Sequence, residues 1–303
     1  MSGIDIKDPI HKTISVSDRE RQILNHPSVQ RLRYVRQLGF VPLVYPAATH
    51  DRFSHSLGAM HTCGLLAEQL FCNGSQSDLA ALLTIKEKEY LLGLMRLAGL
   101  LHDIGHAPFS HTAEKVMPRV GELKLPREYL KFPGEDRRAT HEDYSALLIL
   151  DMAEDPRAAL NREETEIIAS LVHHKKIKIP GHWKNRFSRK ISAERLHAIA
   201  CAIVSSDLDG DRMDYLLRDS HFCGVPYGQF DLPWLISNLG VIAQGDRYVM
   251  SISESGLHAF EHYLLARYNM YAQVYMHKTS KCFEYYFQRS IAEGELDYSI
   301  PTG

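Results

Sequence analysis

The sequence predicts a mainly α-helical fold with minor β-hairpin additions. Apolar residues recur at helical spacing along most of the chain, between short loops rich in Pro, Gly or Asn. Strand-like alternation, in contrast, is confined to a few short stretches. The predicted helical segments are 28–38, 54–72, 86–101, 141–153, 163–174, 190–206, 208–218 and 255–290.

The chain is long enough for one sizeable domain. It has 303 residues, of which 45% are hydrophobic and 24% charged, and this is ordinary globular usage. We find no internal repeat, low-complexity tract or linker that would divide it. We therefore expect a single domain over 1–303.

The first predicted element is a short hairpin. Around Asp8-Pro9-Ile10 and Ile14-Ser15-Val16 the pattern alternates weakly, as in a pair of strands. Ser17 or Asp18 can then cap the first helix, because both side chains accept hydrogen bonds from free helix amides. The chain is expected to pass from the hairpin directly into helical structure.

Three other segments interrupt the helical pattern. Stretches 177–180 and 247–252 are strand-like and predict minor β additions. Between 118 and 140, several Pro and Gly residues stand among many charges. We expect a mobile loop there.

Composition and charge argue against some classes of function. A formal net charge of -2 provides no global basic field, so nucleic acid is not an expected partner and any phosphate binding must be local. The longest apolar run, Tyr90–Leu101, contains Arg96 and is too short to span a bilayer, so no membrane partner is expected. The N-terminus lacks the features of a secretory signal, and the five cysteines include no CxxC pair. These features predict a cytoplasmic protein.

Histidine is the one compositional excess, with 17 residues. The apolar run ends on His102-Asp103, and His106 and His111 follow closely. An adjacent His and Asp offer a neutral nitrogen and an anionic oxygen, which suit Mn, Fe, Zn or another borderline divalent ion. A glycine and a proline in this segment can turn the later histidines back toward the same place. The alternative is a capped helix end with solvated histidines.

A second cluster lies at the start of the helix predicted over 54–72. His55 falls in its first turn, and Arg52 stands just before it. An arginine can clamp a phosphate through two parallel hydrogen bonds. A single histidine at this place equally fits a polar surface residue.

Carboxylates crowd the start of the helix predicted over 208–218. They are Asp207, Asp209 and Asp211. So many carboxylates near one helix N-terminus repel one another unless a cation neutralises them. Asp211, Tyr215 and Asp219 share one helix face, while Asp214 and Arg218 fit an ion pair on a solvated face.

Together the clusters supply two imidazoles and two carboxylates on separate helical segments. Metal sites inside helical bundles are built in this way. The residues predicted to share a divalent ion are His55, His102, Asp103 and Asp211. From residue chemistry alone, separate structural roles for them stay open.

The order H…HD…D of these residues resembles the metal motif of HD-domain phosphohydrolases. Longer stretches are similar to the deoxynucleoside triphosphate triphosphohydrolase branch of that superfamily, in family order over nearly the whole chain. They are Asp8–His11, Gln30–Gly39, Val44–Gly58, His102–His111, Asp209–Asp219, Gly224–Asp231 and Tyr271–Lys278.

The resemblance implies an HD-domain helical bundle. Its metal-binding core would cover about 50–220, and a C-terminal helical part, 230–303, would complete the substrate pocket. The implied reaction is hydrolysis of a dNTP to a deoxynucleoside and inorganic triphosphate, by attack at the α-phosphorus. The cofactor would be a divalent ion, with Mn, Fe, Zn, Mg, Ni and Co all open. By resemblance alone the protein would also be a homo-oligomer, a dimer or a tetramer.

The resemblance also implies roles for single residues. His106, Asp211 and His111 would be catalytic, with His106 as the acid or base near the scissile bond. Contacts to the triphosphate would come from Arg52, His111, His141 and Arg212. The sugar would meet four residues: Gln37 and Asp219 at its 3′-hydroxyl, and Tyr215 and Tyr275 where they exclude a 2′-hydroxyl.

Alternatives remain for several of these expectations. His141 also fits a helix-start residue, with Thr140 or Glu142 serving the cap, and both tyrosines fit ordinary core packing. Alternative functions are an HD-domain phosphohydrolase acting on nucleoside monophosphates or cyclic nucleotides, or a nucleotide-sensing module with weak turnover. Because many family members continue well beyond the position of Gly303, we do not expect regulation by a second nucleotide. The preferred nucleobase stays open.

Overall fold

Helices dominate the structure, a computed structural model that describes residues 3–73, 77–187 and 191–302. The mainly α fold class is confirmed. The helices are α1 (Asp18–Leu24), α2 (Pro27–Gln30), α3 (Arg52–Ala67), α4 (Ile85–Leu101), α5 (His111–Glu114), α6 (His141–Asp151), α7 (Arg162–Val172), α8 (Gly181–Arg186), α9 (Ala193–Val204), α10 (Gly210–Cys223), α11 (Leu232–Ser237), α12 (Leu257–Met270) and α13 (Lys278–Ala292). The strands form antiparallel hairpins, β1 (Ile4–Asp8) with β2 (Lys12–Val16) and β3 (Leu239–Gln244) with β4 (Arg247–Ile252).

Helix α3 lies at the centre of the fold, between α4 and α10. Helix α4 begins with a capping box, in which Thr84 and Glu87 exchange hydrogen bonds. Where α4 crosses α3, the two helices are too close for a side chain at Gly99, since a Cβ there would lie 2.6 Å from the carbonyl oxygen of Ala59. This close crossing holds the end of α4, and with it His102 and Asp103, against α3.

A second layer supports the first. Helix α7 packs against α4, α6 and α9. Its Ile167, Ile168 and Leu171 are fully buried, and each such side chain contributes about 1.5–3 kcal/mol relative to an exposed position. The layer fixes α6 and therefore the position of His141, its first residue.

The prediction of a helix over 28–38 is wrong beyond the first residues of that range. Helix α2 passes into a 3₁₀ turn, and Val35 is extended. The reason is pairing across space, since the Val35 carbonyl accepts the Arg52 amide at 2.9 Å and the Gln37 amide donates to the His50 carbonyl at 3.1 Å. This pairing places Gln37 beside the segment that leads into α3.

The single helix predicted over 255–290 is also wrong. Helix α12 runs into a wide π-helical turn at Tyr271–Tyr275, after which α13 begins. His277 provides the new N-cap, because its ring accepts the Thr279 amide. The break carries Tyr275 inward, where a continuous helix would have continued along the surface.

Predictions for the β elements had mixed outcomes. The first hairpin and the strand at 247–252 are present. The strand predicted at 177–180 is not, because Ile177 makes only an isolated bridge to Leu130 and Pro180 lacks an amide hydrogen. The helix predicted from 190 begins at Ala193 as α9, and residue 190 itself lies outside the described residues.

Segment 118–140 follows an irregular path with two short 3₁₀ turns. Val120 and Leu130 within it are buried against the core. Its mobility stays a prediction, as does the single domain. Among the described residues, no helix combines the length and apolar character needed to cross a membrane.

Candidate active site

The structure brings the four predicted metal ligands together. His55 lies in the first turn of α3, His102 and Asp103 directly follow α4, and Asp211 is the second residue of α10. The His55 Nε2 atom lies 3.0 Å from Asp211 Oδ1 and 3.6 Å from Asp103 Oδ2. His102 Nε2 lies 3.4 Å from Asp211 Oδ1 and 3.3 Å from Asp103 Oδ1. The ligand atoms of His55, His102 and Asp103 lie within 4.8 Å of one another, close enough to share one ion, and Asp211 lies beside this group in contact with both histidines.

The tautomers of both histidines suit a metal. His102 Nδ1 donates to the Gly99 carbonyl at 2.7 Å, and His55 Nδ1 donates to Asp214 Oδ2 at 2.8 Å. In the neutral ring each Nε2 then carries the lone pair, and neither Nε2 has a hydrogen-bond partner among the described residues although both are buried. A buried Nε2 that faces carboxylate oxygens needs either a proton or a metal ion between them.

The charges at these residues favour a cation as well. Burial alone would raise the pKa of Asp103, but His102 and Arg52 hold it well below its usual range. Burial alone would lower the pKa of His55, but the carboxylates of Asp211 and Asp214 raise it to about 10. The same negative field that attracts a proton to His55 attracts a divalent ion.

Three further histidines lie together: His106, His111 and His141, with one nitrogen of each within 4.8 Å of the others. The rings of His106 and His141 are stacked with centroids 3.9 Å apart, and His111 meets His106 edge-on at 4.9 Å. Glu114 joins the group, because its Oε1 contacts Nδ1 of His111 at 3.2 Å and also Nδ1 of His141. Burial would raise the pKa of Glu114, but these contacts lower it strongly. The group is a compact cluster of titratable side chains.

His106 is set apart within this cluster. It is buried, and neither ring nitrogen has a hydrogen-bond partner. Burial, followed by the positive charges of Arg52 and His141, holds its pKa well below the usual value. This shift favours the neutral imidazole, the form that can accept a proton.

A strained turn carries His111 back toward His106. Phe109 and Ser110 both have left-handed backbone conformations, with φ of 66° and 53°. The Ser110 hydroxyl donates to the Arg36 carbonyl at 2.7 Å and accepts from Arg52 Nε at 3.0 Å. These bonds hold the turn in a conformation that non-glycine residues rarely adopt.

The two predicted phosphate-binding arginines are already paired. Arg52 is buried and also contacts the Asp103 carboxylate. Arg212 is partly exposed, and its guanidinium contacts Asp209 and the Ser206 carbonyl. Either guanidinium would have to share or exchange these partners to bind an anion.

The predicted sugar-binding residues also lie together. Asp219 is buried and accepts from Tyr275 at 2.8 Å and from His50 Nε2 at 2.7 Å. The rings of Tyr215 and Tyr275 meet edge-on at 6.1 Å. The Gln37 side-chain oxygen is buried without a partner, so it has capacity for a ligand.

The expectation about the crowded carboxylates is wrong for two of them. Asp209 is the N-cap of α10 and accepts the Arg212 amide, and Asp207 is exposed and pairs with Arg267. Burial and the neighbouring Asp211 raise the pKa of Asp209 to about 7. Only Asp211 needs a cation to explain its position.

One other local expectation fails, whereas the helix start that was the alternative for His141 is present, with Thr140 as its N-cap. Asp214 and Arg218 do pair, but both are fully buried rather than on a solvated face. Thr140 and Asp143 form the cap beside His141. Asp143 is the third residue of the helix, and its side chain accepts the Thr140 amide; Glu142 takes no part in the cap.

Sequence reasoning missed several residues that surround these groups. They are Glu114, Asp214, His50 and Ser110. Glu114 lies three residues after His111, a spacing that predicts contact on a helix. The others had no local signal, because their partners are distant in sequence.

Comparison with known proteins identifies two regions of the chain. Residues 52–209 match the family model described as HD domain, and residues 230–297 match the HD associated region. An uncharacterised protein of Methanocaldococcus jannaschii is 32% identical over 286 residues, which cover 94% of this chain and 49% of that protein. A solved structure of a hypothetical protein from Aquifex aeolicus is 31% identical with a TM-score of 0.71, covering 98% of this chain and 66% of that one.

Other curated relatives have named activities. The deoxynucleoside triphosphate triphosphohydrolase SAMHD1 homolog of Dictyostelium discoideum is 28% identical over 96% of this chain and 49% of its own length. The corresponding protein of Gallus gallus is 27% identical over 97% of this chain and 46% of its own length. The chain thus spans about half the length of these relatives. Because the HD-domain model matches more than half of the chain, the chain belongs to the HD-domain family.

Proposed function

We propose that this protein hydrolyses deoxynucleoside triphosphates to deoxynucleosides and inorganic triphosphate. The observation that carries the proposal is the grouping of three sites around one place. The first two sites, the predicted metal ligands and the cluster of His106 with His111 and His141, meet where His106 Nε2 lies 3.4 Å from Asp103 Oδ1. The third site, the pair Asp219–Tyr275, is reached from His55 through the ring of Tyr215. Relatives named as triphosphohydrolases match nearly the whole chain.

His55, His102, Asp103 and Asp211 would hold the divalent ion. When bound, the ion supplies Lewis-acid polarisation of a phosphate oxygen and lowers the pKa of a bound water. The two imidazoles and two carboxylates suit Mn, Fe, Zn, Ni and Co, and carboxylate oxygens also suit Mg.

The histidine cluster would move the protons. In the proposed reaction a water oxygen bonds to the α-phosphorus, the bond from phosphorus to the 5′-oxygen breaks, and that oxygen leaves with a proton. The neutral ring of His106 is suited to accept the proton of the attacking water. His111 and His141, joined through Glu114, would provide proton donors beside it.

Arg52 and Arg212 would bind the triphosphate. Each would exchange a present partner, Asp103 or the Ser206 carbonyl, for phosphate oxygens whose accumulated charge is larger. Asp219 and Gln37 would hold the 3′-hydroxyl, while Tyr215 and Tyr275 would fill the space needed by a 2′-hydroxyl. We also propose a cytoplasmic homo-oligomer, by analogy with the family.

A product assay tests the proposal. Metal-stripped protein is reloaded separately with Mn, Fe, Zn, Mg, Ni or Co and given each dNTP and rNTP, and the products are separated by ion-exchange chromatography. We expect deoxynucleoside and triphosphate in equal amounts from at least one dNTP. Orthophosphate or pyrophosphate as the released product would contradict attack at the α-phosphorus. The same samples are also given nucleoside monophosphates and cyclic nucleotides, and turnover of these alone would establish the alternative.

A further inference from the structure

The Asp214 carboxylate is fully buried beside the metal ligands, and its hydrogen-bonding capacity is used completely. Its Oδ1 accepts from His11 Nε2 at 2.7 Å and from Arg218 Nη2 at 2.9 Å. Its Oδ2 accepts from His55 Nδ1 at 2.8 Å and from Arg218 Nε at 2.8 Å. An ionised carboxylate offers about four lone-pair sites, so Asp214 has no freedom to rotate without losing a bond.

Two contacts in this network come from the turn of the first hairpin. Asp8 Oδ1 accepts the amides of Ile10 and His11 at 2.9 and 2.8 Å, which fixes the turn. Asp8 Oδ2 accepts from Arg218 Nη1 at 2.9 Å. The turn therefore reaches α10 twice, through Asp8 with Arg218 and through His11 with Asp214.

Helix α3 is shaped to admit the network. A Cβ at Gly58 would lie 1.8 Å from Asp214 Oδ1 and 2.4 Å from Arg218 Nη2. Both side chains are fully buried and bonded on all sides, so they cannot move aside easily. Gly58 lies one helical turn after His55, on the same helix as the ring that Asp214 orients.

We propose that Asp214 is the positioning residue for His55 and that the turn of the first hairpin sets the metal affinity of the site through it. This inference rests on the ligand set of the proposed function. A carboxylate that accepts from Nδ1 fixes the tautomer of a ligating histidine, aims its Nε2 and increases its basicity. Loss of either hairpin contact frees Asp214 to rotate, and His55 then loses its fixed direction.

The coupling is reciprocal. If the hairpin strengthens metal binding, the metal must stabilise the hairpin by the same factor. The first hairpin then becomes a reporter of metal binding, although it supplies none of the predicted ligands. This effect can be measured without any assay of activity.

The first experiment measures metal affinity. Metal-stripped full-length protein is titrated with Mn²⁺, Zn²⁺ and Ni²⁺ in separate competitions against a chromogenic chelator. We expect Asp214→Asn to bind about 10–100-fold more weakly, because the amide carries no negative charge and its NH2 group cannot accept the hydrogen bonds that the second carboxylate oxygen accepts. His11→Gln and Gly58→Ala should each weaken binding measurably but less than Asp214→Asn, because each disturbs only part of the network around the carboxylate. Lys7→Ala is the matched control, since the Lys7 ammonium donates to the exposed Thr13 hydroxyl on the same hairpin, and this variant should leave the affinity unchanged.

The outcomes separate this inference from the proposed function. A folded Asp214→Asn variant with wild-type affinity would overturn the positioning role. If that variant does not fold, unchanged affinity in both His11→Gln and Gly58→Ala would overturn the role of the hairpin. Metal binding that depends on Asp214, without triphosphate release from any dNTP, would support this inference and contradict the proposed substrate. Absence of binding in the wild type would overturn both.

The second experiment measures hydrogen exchange in residues 4–16 by mass spectrometry, with and without Mn²⁺. We expect slower exchange of the Ile10 and His11 amides in the metal-loaded wild type, because both donate to Asp8. In His11→Gln the protection by metal should largely disappear, while Lys7→Ala should keep it. Equal protection in His11→Gln and the wild type would contradict the coupling.

Discussion

The hydroxyl of Tyr275 donates a 2.8 Å hydrogen bond to Oδ2 of Asp219, across a distance of 56 residues in the chain. The bond joins the turn before α13 to the inner face of α10. The other Asp219 oxygen accepts from His50, whose ring is stacked on Phe222 with centroids 4.6 Å apart. Asp219 is thus held in one direction, as a carboxylate that recognises a hydroxyl must be.

Replacement of Tyr275 tests its role in sugar selection. We expect Tyr275→Ala to raise the kcat/KM ratio of rNTP to dNTP by about 10-fold or more, because one excluded group in a tight pocket is worth about 1–3 kcal/mol. Tyr275→Phe keeps the ring and should retain most of the discrimination. Tyr271→Ala, at an exposed position of the same turn, is the control. An unchanged ratio in Tyr275→Ala would assign the residue to core packing.

Removal of a metal ligand should abolish metal and activity together. We expect His102→Ala and Asp211→Ala to lose the bound ion and at least about 10³-fold in turnover, since the ion supplies several kcal/mol of transition-state stabilisation. Metal content by mass spectrometry and turnover are measured on the same samples. Asp207→Ala is a matched control, because this exposed carboxylate precedes α10 without reaching the site. Full metal occupancy in both ligand variants would show that the predicted set is wrong.

His106 should affect chemistry without affecting metal binding. We expect His106→Gln to lower kcat by about 10²–10⁴-fold, the usual contribution of a general base, while metal content remains at the wild-type level. Glu114→Gln should give a smaller loss, since it disturbs His111 and His141 while leaving His106 in place. A His106→Gln variant with wild-type kcat would exclude His106 from proton transfer.

A different histidine should make stability depend on pH. His197 is buried on α9, and burial, with the charges of His174 and Lys131, lowers its pKa to about 4. The Ser170 hydroxyl donates its hydrogen to the Ile167 carbonyl, so His197 Nε2 must be the donor in its 2.9 Å bond to Ser170 Oγ. The other ring nitrogen, Nδ1, lies 3.3 Å from Cys201 Sγ. These partners suit the neutral ring and leave no acceptor for a second ring hydrogen.

The direction in which stability changes with pH follows from the pKa values of His197 in the folded and unfolded states. In the unfolded chain a histidine has a pKa of about 6.5, so the unfolded state binds the proton first. The stabilisation is fully present above about pH 6.5 and is lost as pH falls from there toward 4, by about 2 kcal/mol between pH 7 and pH 5. Urea unfolding at both pH values should show this loss in the wild type and a smaller one in His197→Gln. Equal losses would assign the pH dependence to other groups.

Some parts of the site could be predicted from the sequence because their signals are local or ordered along the chain. His55, His102, Asp103 and Asp211 were found as ligand-type residues next to predicted helix ends. Helical periodicity alone placed α3, α4 and α10. These signals need no knowledge of which residues meet in space.

The remainder depends on contacts between distant segments. Asp214 looks like half of a solvated ion pair until His11 and His55 are brought to it. The segment Tyr271–Tyr275 has the periodicity of a continuous helix. The wide turn that it forms instead places the Tyr275 hydroxyl against Asp219, a contact that only the folded chain reveals. The extended backbone at Val35 likewise results from pairing with Arg52. Local pattern cannot report any of these relationships.

The left-handed pair Phe109–Ser110 has a consequence for how the two matched regions depend on each other. The Phe109 ring packs between Phe40 and Phe287, at centroid distances of 5.2 and 4.6 Å, and Phe287 belongs to α13 in the HD associated region. Two left-handed non-glycine residues cost about 1–3 kcal/mol each, and this aromatic contact helps to offset that cost. Helix α13 therefore stabilises the turn that reverses the chain between His106 and His111. We expect positions 109 and 287 to vary together among related proteins, because the two side chains pack against each other.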